Sequence, residues 1–154
     1  MSLVEIKPDE MLQIIKDVVQ EALEAMAFAE IENTEHPKKK DDETFGFCVK
    51  IYINEPFEGA LHLEYSTPLA EALAGAMYGG QEISPELLRD AMAEMLNTVT
   101  GKFLSSYAPK ASITIGLPIF TKTANEKNPT NAHIHSTCFV IDGKRMLVDL
   151  VIFD

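Results

Sequence analysis

The spacing of hydrophobic positions changes several times along this chain, and each change marks an element. Between Pro8 and about residue 26, Met11, Ile14, Ile15, Val18, Val19, Ala22 and Leu23 recur three and four residues apart. That period predicts an amphipathic helix, and Pro8 suits its first turn. Ala27 to Glu35 reads as extended, with Phe28 and Ile31 among polar neighbours, and residues 36–43, which hold Pro37, read as a loop. Phe45, Phe47, Val49, Ile51 and Ile53 alternate at period two, the pattern of a strand with one buried face. Asn54-Glu55-Pro56 turns the chain, and Leu61, Leu63 and Tyr65 alternate again. The two strands predict an antiparallel hairpin with a rather long connection.

A helix is expected from near Thr67, which can cap, with Pro68 in its first turn and Gly79-Gly80 at its end. Ser84-Pro85-Glu86 repeats the start signal for a helix reaching about Ser105. Ile113, Ile115 and Leu117 alternate up to Pro118, which signals an edge or a bulge. A polar loop over 122–131 contains Asn128-Pro129; His133–Ile141 and Arg145–Phe153 then flank Asp142-Gly143, a strong hairpin turn. The order helix, strands, helix, helix, strands predicts an α/β (α+β) fold, an antiparallel sheet covered by helices, with residues 1–154 as a single domain.

Composition narrows the function classes. With 46% hydrophobic and 24% charged residues the chain reads as soluble and globular, and no apolar run approaches the roughly 20 residues of a membrane helix. The N-terminus lacks a basic region leading into a long apolar stretch, so a cytoplasmic protein is expected. Cys48 and Cys138 sit in apolar strand-like runs and are expected to be reduced. A net charge of −11 argues against nucleic-acid binding, which needs clustered cations. The only basic cluster, Lys38-Lys39-Lys40, runs directly into Asp41-Asp42-Glu43 and reads as a solvated loop.

The candidate chemistry lies in the second of the two central helices. At about 100° per residue, Asp90, Glu94, Asn97 and Gly101 fall within an arc of roughly 60°. Leu88, Met92, Met95, Leu96, Val99 and Phe103 gather on the opposite side. The polar stripe holds a carboxylate, an amide one turn on and a glycine one turn further, and no lysine or arginine. Glycine inside a helix costs about 1 kcal/mol relative to alanine; a compensation would be close approach of another surface. Glutamate can pair with a cation on that surface, and asparagine, both donor and acceptor, suits the orientation of a water. On geometry alone, a polar outer face with an incidental glycine is an equally open reading.

The pattern Asp90-x-x-x-Glu94-x-x-Asn97-x-x-x-Gly101 resembles the signature of the CheC/CheX/FliY chemotaxis phosphatases. Gly59-Ala60-Leu61-His62-Leu63, the helix ending Met77-Tyr78-Gly79-Gly80, and Gly101-Lys102 extend the likeness over residues 59–104. The resemblance implies a CheC-like fold with an internal pseudo-two-fold repeat. It implies an aspartyl-phosphate phosphatase, a hydrolase whose substrate is a phosphorylated CheY-like receiver domain. Glu94 would contact the receiver's active-site lysine, Asn97 would orient the attacking water, and Asp90 and Gly101 would shape the helix surface. No cofactor or metal of this chain's own is implied, because Mg2+ would belong to the receiver's site. The first helix offers only Asp17-x-x-x-Glu21-x-x-Glu24-x-x-x-Phe28, without the asparagine or the glycine, so one site is expected. A single site resembles the CheX type, which implies a homodimer formed through the sheets.

Other constellations are weaker. His133 and His135 share a strand face and, with His62 or Cys138, could imitate a metal site, but no standard ligand motif accompanies them. Ser105, Ser106 and Ser112 lack a nucleophile-elbow setting, and Gly75, Gly79 and Gly80 lack the Gly-Lys-Ser/Thr ending of a phosphate loop. Two alternatives to the phosphatase stay open: a receiver-binding adaptor of the same fold, and a metal-binding or structural dimer.

Overall fold

The computed structural model describes residues 8–35, 46–121 and 132–153. Three helices, α1 (Pro8–Ala27), α2 (Thr67–Met77) and α3 (Pro85–Tyr107), accompany strands β1 (Asn33–Glu35), β2 (Phe47–Glu55), β3 (Gly59–Tyr65), β4 (Thr114–Ile115), β5 (Ile119–Thr121), β6 (His133–Ile141) and β7 (Lys144–Ile152). All pairings are antiparallel, in the order β1-β6-β7-β3-β2-β4, with β5 also on β2. The pseudo-two-fold is visible in this order. Exchanging α1-β1-β2-β3 for α3-β4/β5-β6-β7 reverses the sheet onto itself, with β3 and β7 side by side at its centre.

Period-two alternation assigns the faces. Phe47, Tyr65, Met146 and Phe139 share one cross-strand row; Val49, Leu63 and Val148 share the next, and Ile51, Leu61 and Leu150 a third. These residues form the core with Ile15, Val19 and Leu23 of α1, Leu69 and Leu73 of α2, and Met92, Met95, Leu96 and Phe103 of α3. All three helices therefore contribute to the core on this face of the sheet. The opposite face carries a polar row across four strands, Lys50, His62, Asp149 and Ser136, in which the Ser136 hydroxyl donates to Asp149 at 2.6 Å.

Most predicted elements fall where the sequence places them, with instructive exceptions. The N-cap of α2 is Ser66, not Thr67: its hydroxyl accepts from the Leu69 amide at 3.3 Å. Ser84 caps α3 in the same way through Leu87, at 3.1 Å, and α3 extends two residues beyond Ser105. Between Ala27 and Glu35 only Asn33–Glu35 is strand; Phe28 has φ of 53° and is 82% exposed. The β2–β3 connection is short, because β2 runs to Glu55 and β3 starts at Gly59. Ile113–Leu117 yields a two-residue strand, and β5 follows Pro118. The expected loops at 36–43 and 122–131, the lysine cluster, Phe45 and the first seven residues lie outside the described residues. Among the described residues no helix is long and apolar enough to cross a membrane.

Candidate functional site

α3 is built as its sequence dictates. Leu88, Met92, Met95, Leu96, Val99 and Phe103 are all buried, which turns the opposite stripe outward. Asp90, Glu94 and Asn97 are exposed along it, with Gly101 half-buried at its end. The structure thus brings together all four residues singled out in the sequence. Among the described residues, the side chains of Asp90, Glu94 and Asn97 make no hydrogen bond or ion pair within the chain. A Cβ placed on Gly101 would meet nothing within 4 Å. No neighbour inside this molecule requires that glycine, so its helix-propensity cost is left without an internal compensation.

The cations flanking the stripe are both engaged elsewhere. Lys102 reaches across to α1 and pairs with Glu21 at 2.8 Å. With both side chains well exposed, this pair adds at most about 1 kcal/mol. Arg89 stacks over the Phe120 ring at 5.7 Å. The stripe is therefore a carboxylate-amide surface without a cation of its own, arranged to receive one from outside. On α1, Asp17, Glu21 and Glu24 also form an exposed row. Lys102 occupies Glu21, and Phe28 stands where the motif has glycine, so the α1 row lacks both the amide and the open approach.

Tyr78 is the neighbour that sequence reasoning missed. It follows α2 as its C-cap, partly buried against the core. Partial burial, then the charges of Glu94 and Asp90, push its phenol above the ordinary value. The Met77-Tyr78-Gly79-Gly80 segment signals a helix end in sequence, but nothing local tells that this end returns to the Glu94 stripe.

The histidines do not converge. His133 and His135 lie on the core side of β6, whereas His62 and Cys138 belong to the opposite face, as the His62–Asp149–Ser136 row establishes. Burial and the neighbouring His133 hold the His135 imidazole below its ordinary value. Cys48 and Cys138 are free and buried. Two strands separate them, roughly 14 Å at ordinary strand spacing, which is beyond disulfide reach. Arg145 Nε donates to Cys138 Sγ at 3.1 Å.

Comparison with known proteins converges on one family. The family model described as chemotaxis phosphatase CheX matches residues 47–142, well over half of the chain and the whole of the Asp90–Gly101 segment. No curated protein matches the sequence. Among solved structures, a chemotaxis protein CheX from Desulfovibrio desulfuricans is similar at TM-score 0.78 and 15% identity, covering 94% of this chain and 99% of that one. A CheX-CheY-BeF3-Mg2+ complex from Borrelia burgdorferi matches at TM-score 0.73 and 18% identity, with 93% and 97% covered. FliY from Thermotoga maritima matches at 0.63 and 21% identity, with 99% and 92% covered. At these identities the structural likeness carries the fold, CheC-like, and the family model carries the assignment: this chain belongs to the CheX family of chemotaxis phosphatases.

Proposed function

We propose that this chain accelerates hydrolysis of the aspartyl phosphate on a CheY-like receiver domain. The observation that carries this reading is the exposed, unpartnered Glu94–Asn97 stripe ending at a glycine with open space above it. The structural relative solved as a CheX-CheY complex supports the choice of partner. The chemistry asks little of the phosphatase beyond placement. An acyl phosphate is already activated, and phosphoryl transfer depends mainly on positioning and electrostatic stabilisation. Water attacks phosphorus as the bond from phosphorus to the aspartyl oxygen breaks. The electron pair leaves with the receiver's carboxylate, and the water's proton goes to the phosphate released. In this scheme the Asn97 amide oxygen accepts a hydrogen bond from that water. Glu94 pairs with the receiver's lysine, and the receiver supplies aspartate and Mg2+.

The test follows loss of phosphate from a phosphorylated receiver. Wild-type protein is expected to accelerate decay, and Glu94→Ala to raise KM about tenfold by removing the ion-paired contact. Decay unchanged by wild-type protein would remove the enzyme reading; binding without acceleration would establish the adaptor.

Gly101→Ala separates the two demands on this helix. Alanine should stabilise the isolated protein by roughly 0.5–1 kcal/mol, since no contact opposes the added methyl. The same methyl stands where the receiver must approach, so receiver turnover is expected to fall. Denaturant melts and the decay assay should move in opposite directions; a parallel rise in both would mean that the glycine has no docking role.

A further inference from the structure

Tyr78 is held at the end of α2 by a closed set of backbone bonds. Gly80 donates to the Gly75 carbonyl at 2.7 Å, and Gly79 donates to Ala76 at 3.4 Å. Tyr78 itself donates to Ala74 at 3.0 Å. The first two bonds are the six-to-one and five-to-two pair of a Schellman cap, with Gly79 and Gly80 at φ of 73° and 84°. Such caps commonly carry a hydrophobic contact between the residue after the turn and the one three positions inside the helix end. Here both positions, Gly80 and Gly75, are glycine, and a Cβ on Gly75, Gly79 or Gly80 would meet nothing within 4 Å. Tyr78 is therefore the one side chain on a rigid cap otherwise stripped of side chains.

Its place is beside the stripe. The carboxylates that act on it are Glu94 and Asp90, one turn apart on α3. Among the described residues the Tyr78 hydroxyl makes no hydrogen bond. A half-buried aromatic ring anchored on a rigid backbone, with an unengaged hydroxyl at a carboxylate-lined surface, has the character of a binding hot spot. Such a group adds contact area at little conformational cost.

Resting on the receiver-docking reading above, we infer that Tyr78 is a third docking residue, which engages the receiver surface next to the cation that Glu94 receives. The glycines around it let that surface descend onto the ring, as Gly101 does at the other end of the stripe. Tyr78 takes no part in water activation, so its effect belongs in affinity and KM, not in kcat.

The experiment measures the affinity of the full chain for a CheY-like receiver loaded with beryllium fluoride and Mg2+, a readout independent of turnover. Tyr78→Ala is expected to weaken binding about five- to tenfold and to raise KM to match, with kcat within about twofold. Tyr78→Phe keeps the packing of the ring and is expected to weaken binding about twofold, the share of one neutral hydrogen bond. Wild type that binds while Tyr78→Ala binds equally tightly overturns the Tyr78 assignment alone. Wild type that fails to bind overturns the docking reading and this inference with it. Should Tyr78→Ala not fold, a Tyr78→Phe affinity identical to wild type overturns the assignment.

Discussion

Replacing Asn97 by alanine is expected to lower kcat for receiver dephosphorylation by about 100-fold or more, with KM held within about threefold. The asymmetry follows from the role proposed for the amide. Asn97 has no ionisation in the working pH range, so it acts by geometry, holding the nucleophilic water in line with the phosphorus–oxygen bond. That interaction matters most in the transition state, and its loss falls on kcat. Asn97→Gln tests the same point from the other side: it keeps the amide and displaces it by one methylene. A shift on the order of 1 Å is enough to cost about two orders of magnitude, so glutamine is expected to rescue little.

The variant carries its own control for folding. Asn97 is exposed and has no side-chain partner among the described residues. Alanine is the better helix former by up to roughly 0.7 kcal/mol. Asn97→Ala should therefore melt at or slightly above the wild-type temperature while turnover collapses, the signature of a site residue kept at some cost in stability. Turnover near wild type in Asn97→Ala would place the water-orienting group elsewhere on the chain.

What sequence alone disclosed divides along a physical line. Features set by local spacing were legible: the stripe from Asp90 to Gly101, the buried face behind it, and the Asp142-Gly143 hairpin all depend on residues within a few turns of each other. Features set by distant partners were not. Ile113, Ile115 and Leu117 alternate like a strand, yet only two residues pair. The register on β2 shifts between Ile53 and Glu55, Gly116 donates a lone bond to Tyr52, and Pro118 has no amide to donate. Leu117 is left 83% exposed. Phe28 reads as extended because its neighbours are polar and its side chain apolar, whereas the end of α1 takes it to positive φ. Tyr78 belongs to the same class: its proximity to Glu94 exists only after α2 and α3 have packed.

The core behind the stripe gives the second large effect. Phe103→Ala is expected to destabilise the fold by about 3–5 kcal/mol and to lower the melting temperature by roughly 6–20 °C for a chain of this size. Phe103 is fully buried, and its ring stacks on Tyr107 at 5.9 Å, which in turn meets Phe57 edge-on at 5.5 Å. Truncation leaves a cavity under α3 that neighbours on two helices and the sheet cannot all collapse to fill. Against a typical total of about 5–15 kcal/mol, such a loss is a large fraction of the stability. The kinetic outcome should be the mirror image of Asn97→Ala. Well below its melting point, folded Phe103→Ala keeps the Glu94–Asn97 stripe on an intact helix surface, so kcat per folded molecule stays within a few-fold of wild type. Activity then disappears along the melting curve and not before it. If kcat fell 100-fold in Phe103→Ala at a temperature where circular dichroism reports full folding, the stripe would depend on the core packing beneath it, and the separation of α3 into a supporting face and a working face would not hold.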